Sequence, residues 1–385
     1  VIPQLPFAQP GPLAMPPELR ELQSAGAVHR VRTAVGHEAW LVTGHARVRR
    51  LLDDDRLGRS HPDPERAART GDSALFGRPL GNFDTEPVDQ ARVRALLQPH
   101  FSPRHIRALQ PRVDALTAEL LDDLEAAGPP ADLHRRLAEP LPVLVICELL
   151  GVPYDDRDRF RGWTEDAANT RDRDRSMRGL GALFAYGREL VARKRADPGD
   201  DVISRLTDIP DHEAAMLAMT LLFAGHETTV VQIGLGAVTL LTNLDQWQAL
   251  VDTPDLVPQA VEEILRSPVR GGSGIPRYAR TDFEIDGTAI HTGDLVLLST
   301  TAANHDPTVF PDPDAVQFTR PANHLTFGHG ARYCIGAPLA RLELRAVFTQ
   351  LATRFPTLRL ATAIENLTMR ENVLTGGLTA LPVHW

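Results

Sequence analysis

Cys334 is one of two cysteines in the chain, and it is the one set among glycines, in Phe327-Gly328-His329-Gly330-Ala331-Arg332-Tyr333-Cys334-Ile335-Gly336. Its position suits metal chemistry. Residues Ala337 to Leu351 carry Leu339, Leu342, Ala346 and Val347 at helical spacing, so Cys334 stands just before a predicted helix N-terminus. Unsatisfied amides and the positive dipole end there lower a thiol's pKa and hold the thiolate that a soft metal requires. Gly328 and Gly330 permit tight turns or close backbone approach, and Gly336 has no side chain to block those amides. A buried structural cysteine beside a glycine turn is the plainer alternative.

A second group, Ala224-Gly225-His226-Glu227-Thr228-Thr229, lies within a long apolar stretch. Thr228 follows Ala224 by one helical turn, so its hydroxyl can bond that carbonyl and open the helix locally, while Ala224 and Gly225 leave space for a diatomic ligand. Glu227 adds a protonatable group suited to proton relay. His226-Glu227 also begins a zincin motif, but Val230 stands where the second histidine is required. Gly271-Gly272-Ser273-Gly274-Ile275 mimics a nucleophile elbow, with Ile275 in place of the closing glycine. It reads as a flexible loop. Glu263 and Arg266, three residues apart, face the same side of a helix and can pair.

The elements that must hold these groups are mostly helical. From about His45 to Arg266 apolar residues recur at three- and four-residue spacing, as in Leu116, Leu120, Leu121 and Leu124. Ala214 to Leu241 is long enough to cross a bilayer, yet His226, Glu227, Thr228, Thr229 and Gln232 would fall at its centre, so a buried central helix is expected. Strands are predicted at Val28–Val31 and Trp40–Thr43 around Gly36, at Phe283–Ile290 with an Asp286-Gly287 turn, at Leu295–Ser299, and in short pieces from Leu358 to Trp385. No repeat or long linker divides the 385 residues, so one two-lobed domain spanning residues 1–385 is expected, with a β-containing N-terminal lobe and a larger helical lobe.

Composition excludes several functions. With 41 basic residues against 50 acidic ones and a net charge of -9, general attraction to nucleic acid or anionic membrane is not the basis of function. Lys194 is the one lysine, so a P-loop ending in Gly-Lys is ruled out. Two widely spaced cysteines are no disulfide framework, and the first thirty residues lack a basic segment followed by an apolar run. A cytoplasmic, monomeric protein is expected.

The cysteine segment resembles the haem-binding loop of the cytochrome P450 family, Phe-Gly-x-Gly-x-(Arg/His)-x-Cys-x-Gly, and Leu339-Ala340-Arg341 matches the helix that follows it. Ala224-Gly225-His226-Glu227-Thr228 is similar to that family's oxygen-binding motif, and Glu263-Ile264-Leu265-Arg266 to its Glu-x-x-Arg, in the family's order and spacing. The resemblance covers nearly the whole chain, including Ile275-Pro276-Arg277-Tyr278-Ala279 and Asn323-His324-Leu325. It implies a mainly α fold with small β-sheets, the cytochrome P450 fold, holding haem b between the central helix and the Cys334 loop.

By the same resemblance Cys334 is the axial ligand of the haem iron, and Phe327, Gly328, Arg332, Gly336, Ala224 and Gly225 border the haem. Arg94, Arg277, Arg332 and His324 would contact propionates. Gln90 stands where bacterial members usually carry histidine, so it offers an uncharged amide. Ala315 replaces a common basic residue near the Glu263–Arg266 pair, which raises the question of whether Arg320 substitutes. Glu227 and Thr228 are implied as catalytic, and Val88, Leu221, Ala224, Gly274, Ile275 and Leu374 as substrate contacts.

The implied function is that of a soluble bacterial monooxygenase inserting one oxygen atom of O2 into a small apolar secondary metabolite, by hydroxylation or epoxidation. Electrons would come from NAD(P)H through a separate ferredoxin and ferredoxin reductase, and the arginines 92, 94, 104, 107 and 112 with His100 and His105 form a candidate docking run. Similarity is strongest to actinomycete enzymes of antibiotic biosynthesis, including the pentalenolactone synthase-like group. Polyketide, macrolide and terpenoid substrates all fit. An oxidative rearrangement or coupling without net oxygen insertion is the alternative, and a non-catalytic haem carrier or sensor is the alternative of another class.

Overall fold

Alternating side chains, β-branched residues and turn-forming glycines generate most of the strands in the predicted places. The computed structural model describes residues 2–75, 77–268 and 274–385. The strands among them are β1 (Val28–Arg32), β2 (Glu38–Val42), β3 (Leu57–Gly58), β4 (Ala131–Asp132), β5 (Ile275–Ala279), β6 (Phe283–Ile285), β7 (Thr288–Ile290), β8 (Leu295–Leu298), β9 (Arg359–Leu360) and β10 (Pro382–His384). Strands β1, β2 and β6 to β10 fall in the predicted places, while β3, β4 and β5 are additional. The chain separates into two compact units, one of residues Val1–Ala95 with Pro258–Ile335 and one of Leu96–Val257 with Gly336–Trp385.

The first unit is built on a sheet of order β1-β2-β8-β5-β3, in which β2 and β8 run parallel and the other pairs antiparallel. Strand β8 sits at its centre and all four of its residues are buried, as expected of a continuous apolar run covered on both faces. Two apolar clusters enclose the sheet, one around Val31, Leu41 and Leu297 and one around Val42, Leu51 and Leu298. β6 and β7 form a separate hairpin whose turn residues Asp286 and Gly287 have φ of 48° and 83°, the two positive values of a type I′ turn.

Two expectations need correction here. Among the described residues between Asp53 and Thr85, β3 is the one regular element, because Pro62, Pro64, Pro79 and four glycines interrupt any helical period. β5 was also not foreseen from pattern. Pro276 lies within it, and Ile275 is the β5 end paired with Leu298. Of the expected flexible loop, residues Gly271 to Ser273 lie outside the described residues.

The second unit is helical. Its axis is the 32-residue helix Asp211–Thr242, packed against Pro140–Leu150 and Arg173–Ala196. It is apolar and long enough to span a membrane, but 72% of its most apolar window is buried. Close packing has a local cause at Gly187, where an added Cβ would stand 2.6 Å from the Ala215 carbonyl oxygen. A three-stranded sheet, β4-β10-β9, and the π-helical turn His134–Ala138 complete this unit.

Candidate functional site: a cysteine loop gripped by one helix face, and a buried acid on the central helix

In the first unit the cysteine loop closes on itself. The Cys334 amide donates to Phe327 O at 2.9 Å, Gly328 N to Leu325 O at 2.9 Å, and Tyr333 N to Gly330 O at 2.9 Å. Gly328 and Gly330 have φ of 74° and 70°, a region that costs other residues roughly 1–2 kcal/mol. At Gly330 a side chain would also run into Asp53, whose Oδ1 accepts the Ala331 N–H at 3.2 Å. The Cys334 thiol emerges exposed from this turn, whereas Cys147 is buried, its thiol pushed up to about 12 by burial and the Glu148 charge. Gly336 caps the helix Ala337–Arg354 with φ -81° and ψ 0°, a conformation open to most residues.

The helix Glu86–Leu97 holds the loop with one face. Glu86, Gln90 and Arg94 are spaced four apart, and they meet three consecutive loop residues. The Glu86 Oε1 accepts from Arg332 Nη2 at 2.7 Å, Gln90 Nε2 donates to Ala331 O at 3.4 Å, and Arg94 Nη1 donates to Tyr333 O. Here the Gln90 amide supports the loop backbone, a task that needs no charge. Glu86 was missed by sequence reasoning, although its four-residue offset from Gln90 was a readable signal.

Arg277 is 5% exposed. Burial, and the neighbouring Arg59 and Arg332 charges, push its guanidinium down to about 9 against the pull of Glu86. A cluster of guanidinium groups answered by a single carboxylate calls for further anions, and the two propionates of a haem meet that need. The exposed thiol and this cationic cluster therefore fit a haem. His324 does not belong to the cluster. Its Nε2 lies 3.0 Å from Glu262 Oε2, and its Nδ1 accepts the Thr326 N–H at 3.4 Å. Glu262 thus holds the His324 ring that the family resemblance assigns to a propionate.

Glu263 and Arg266 form a saturated buried pair. Arg266 Nε and Nη2 donate to the two carboxylate oxygens at 2.8 and 2.7 Å, and Nη1 reaches Asn304 O and Pro313 O, both at 2.9 Å. Arg320 Nε stands 3.3 Å from Glu263 Oε1, an ion pair without a hydrogen bond that places a second cation beside the carboxylate where Ala315 offers none.

In the second unit, Met216, Thr220, Ala224 and Thr228 form an exposed stripe along the helix Asp211–Thr242, whose interior turns are otherwise mostly buried. Thr228 Oγ1 donates to Ala224 O at 3.2 Å. Gly225 does not add to this open face. An added Cβ there would stand 2.5 Å from Ile146 Cδ1, so its missing side chain makes room for the helix Pro140–Leu150.

Glu227 points the other way. It is 4% exposed, with Oε2 accepting from Arg370 Nη1 at 3.2 Å and Thr375 Oγ1 at 3.1 Å, and with His226 Nε2 at 3.6 Å from Oε1. Burial pushes the carboxyl up, but the hydrogen bond and charge of His226, the Arg370 charge and the Thr375 hydroxyl outweigh it and hold it down to about 2. A polar cavity of about 330 Å³ leads to it. Its lining includes the exposed Arg135, Glu165 and Thr379 and the buried His134, His226 and Glu227.

The expected substrate residues are divided between the units. Val88 is 71% exposed and Leu221 8%. Gly274 has φ of 91° and packs so tightly on Leu298 O that an added Cβ would lie 2.7 Å away. Leu374, half-buried, donates its amide to Ala168 O at 3.0 Å.

A family model described as Cytochrome P450 matches residues 189–375. Pentalenolactone synthase of Streptomyces exfoliatus is 43% identical over 395 residues, covering 99% of both chains. Among solved structures, the substrate-free pimaricin epoxidase PimD superposes with a TM-score of 0.88 at 40% identity, over 100% of this chain and 99% of that one. A cytochrome P450 with biaryl coupling reactivity does so with a TM-score of 0.88 at 35% identity, over the full length of both. With its cysteine loop, the Thr228–Ala224 bond on its central helix and relatives matched from end to end, the chain belongs to the cytochrome P450 family of haem-iron oxidoreductases.

Proposed function

We propose that the protein is a haem-thiolate monooxygenase that inserts one oxygen atom from O2 into a small apolar secondary metabolite of polyketide, macrolide or terpenoid type. The observation that carries this is the exposed Cys334 thiol on a loop fixed from Asp53 and from the Glu86–Arg94 helix face. Cys334 would hold haem b through its thiolate, and the bound group would supply iron for O2 chemistry. Arg332 and Arg277 hold its carboxylates. Thr228, opened toward the exposed face by its bond to Ala224, presents a hydroxyl for proton transfer. Glu227, ionised at neutral pH beside the cavity on the other side of the helix, accepts protons from that cavity and feeds the relay that ends at Thr228 after turning from its Arg370 and Thr375 partners.

Electrons come from NAD(P)H through a ferredoxin and its reductase, and the protein acts as a cytoplasmic monomer. Arg112 is already paired with Glu148 at 2.9 Å, so Arg104 and Arg107 are the better docking candidates of the basic run. The test is the reduced protein under carbon monoxide. A red-shifted absorption band is expected, and its loss in Cys334→Ser; a wild-type protein without it would end this reading.

Oxidative coupling or rearrangement without net oxygen insertion is the second reading, favoured by the structural likeness to an enzyme with biaryl coupling reactivity. Product formed under 18O2 separates the two, since only insertion leaves the label in it. Thr228→Ala is expected to release peroxide at the expense of product. A haem carrier or sensor would retain its function in that variant.

A further inference from the structure

Of the three side chains that the helix Glu86–Leu97 turns toward the cysteine loop, two touch backbone and one touches a charge. Gln90 and Arg94 donate to carbonyls, while Glu86 accepts from the Arg332 side chain. The Glu86 carboxylate is 7% exposed and fully engaged. Besides Arg332, Oε1 accepts the Arg59 amide at 2.8 Å, and Oε2 accepts the Ser60 amide at 3.0 Å, the Ser60 hydroxyl, and Arg280 Nη1 at 3.2 Å. Space around it is measured too, because a Cβ on Gly58 would approach Oε2 to 2.6 Å.

This saturation fixes the carboxylate, and the carboxylate fixes Arg332. A side chain held by backbone amides on one side has little freedom to follow a guanidinium on the other, so the guanidinium follows it. Arg280 is locked in the same way, by Ser60 Oγ at 3.0 Å and Phe83 O at 2.6 Å. Arg59, Arg277, Arg280 and Arg332 thus surround a single negative charge, which draws Arg277 up while Arg59 and Arg332 push it down. None of these contacts serves the reaction directly.

We propose that Glu86 is a positioning residue for the haem: it holds Arg332 ready for a propionate, and its charge offsets the surrounding arginines so that the reduction potential stays low. This rests on the haem-thiolate reading above. A bare cluster of arginines would stabilise the reduced iron by placing uncompensated positive charge near it, and Glu86 removes part of that bias.

The test uses the haem-loaded protein and three readouts: the midpoint potential by spectroscopic titration, haem transfer to excess apomyoglobin, and thermal melting. Glu86→Gln is expected to shift the oxidised-to-reduced ratio at a fixed poise about tenfold toward the reduced form, about 59 mV for one electron. Haem transfer is expected to accelerate about tenfold. Glu86→Asp keeps the charge but withdraws it by one methylene, so transfer accelerates while the potential stays near the wild-type value.

A role limited to loop packing would lower the melting temperature without moving the potential, and that result overturns the proposal. Should Glu86→Gln fail to fold, Arg280→Gln removes a cation from the same carboxylate and is expected to move the potential in the opposite sense; an unchanged potential there also overturns it. Absence of the thiolate signature in the unsubstituted protein would remove the haem reading and this inference together, whereas an intact signature with an unmoved potential removes this inference alone.

Discussion

Two buried glutamates, each paired with an arginine, occupy different units of this molecule, and they are built to different tolerances. Glu263 grips Arg266 with two bonds of 2.7 and 2.8 Å, and the remaining guanidinium donors are used on backbone carbonyls. Glu227 receives Arg370 at a single oxygen, 3.2 Å away, with Thr375 at 3.1 Å and a polar cavity alongside. The side chains of the first pair are 2% and 3% exposed, whereas Arg370 is 19% exposed. A saturated pair surrounded by protein cannot change partner without leaving a charge unpaired, so it serves as a fixed strut. A half-saturated pair beside a polar cavity can exchange protons and rearrange.

The contrast can be broken most forcefully at the strut. Arg266→Leu leaves the buried Glu263 with only the Arg320 charge and the Gln317 amide and is expected to lower stability by about 3–5 kcal/mol, or to prevent folding; denaturant unfolding reads this. Glu227→Gln is expected to lose the stability that the low carboxyl pKa confers at neutral pH, but less than the strut variant because Arg370 keeps partial access to water, and to cut coupled product formation on the order of 100-fold. Equal stability losses in the two variants would erase the distinction. Arg370→Gln is expected to let the Glu227 carboxyl rise from about 2 toward its ordinary 4.5, moving the acid limb of the pH–turnover profile upward.

The smallest effect concerns stability against pH. A carboxyl held at about 2 in the folded chain and near 4.5 when unfolded stabilises the fold fully above the higher value, and the contribution is lost as pH falls toward the lower one. Melting curves between these limits should therefore show a component that Glu227→Gln abolishes. If the acid dependence of wild type and variant coincides, Glu227 is not ionised in the native state.

Much of this was legible in the sequence because the motifs are local. The cysteine loop, the central helix and the Asp286-Gly287 hairpin each follow from turn residues and periodicity within a dozen positions. What escaped depends on side-chain direction and on distant partners. Arg370 and Thr375 lie some 140 residues beyond Glu227, and no pattern near either end names the other. His324 looked equivalent to the arginines until Glu262 was found beside it. Gly225 was expected to leave room for a ligand, but the room belongs to Ile146. Glu86 could have been read, since it continues the Gln90–Arg94 spacing by one turn.

That spacing has a consequence for how the segment can vary. Three side chains one turn apart read three successive residues of the loop, and each added position on an α-helix rotates everything beyond it by about 100°. Substitution at Gln90 should therefore be absorbed by the flanking grips, but inserting or deleting one residue between Glu86 and Arg94 would swing one grip out of line with the others. The segment can drift in composition while its length is frozen.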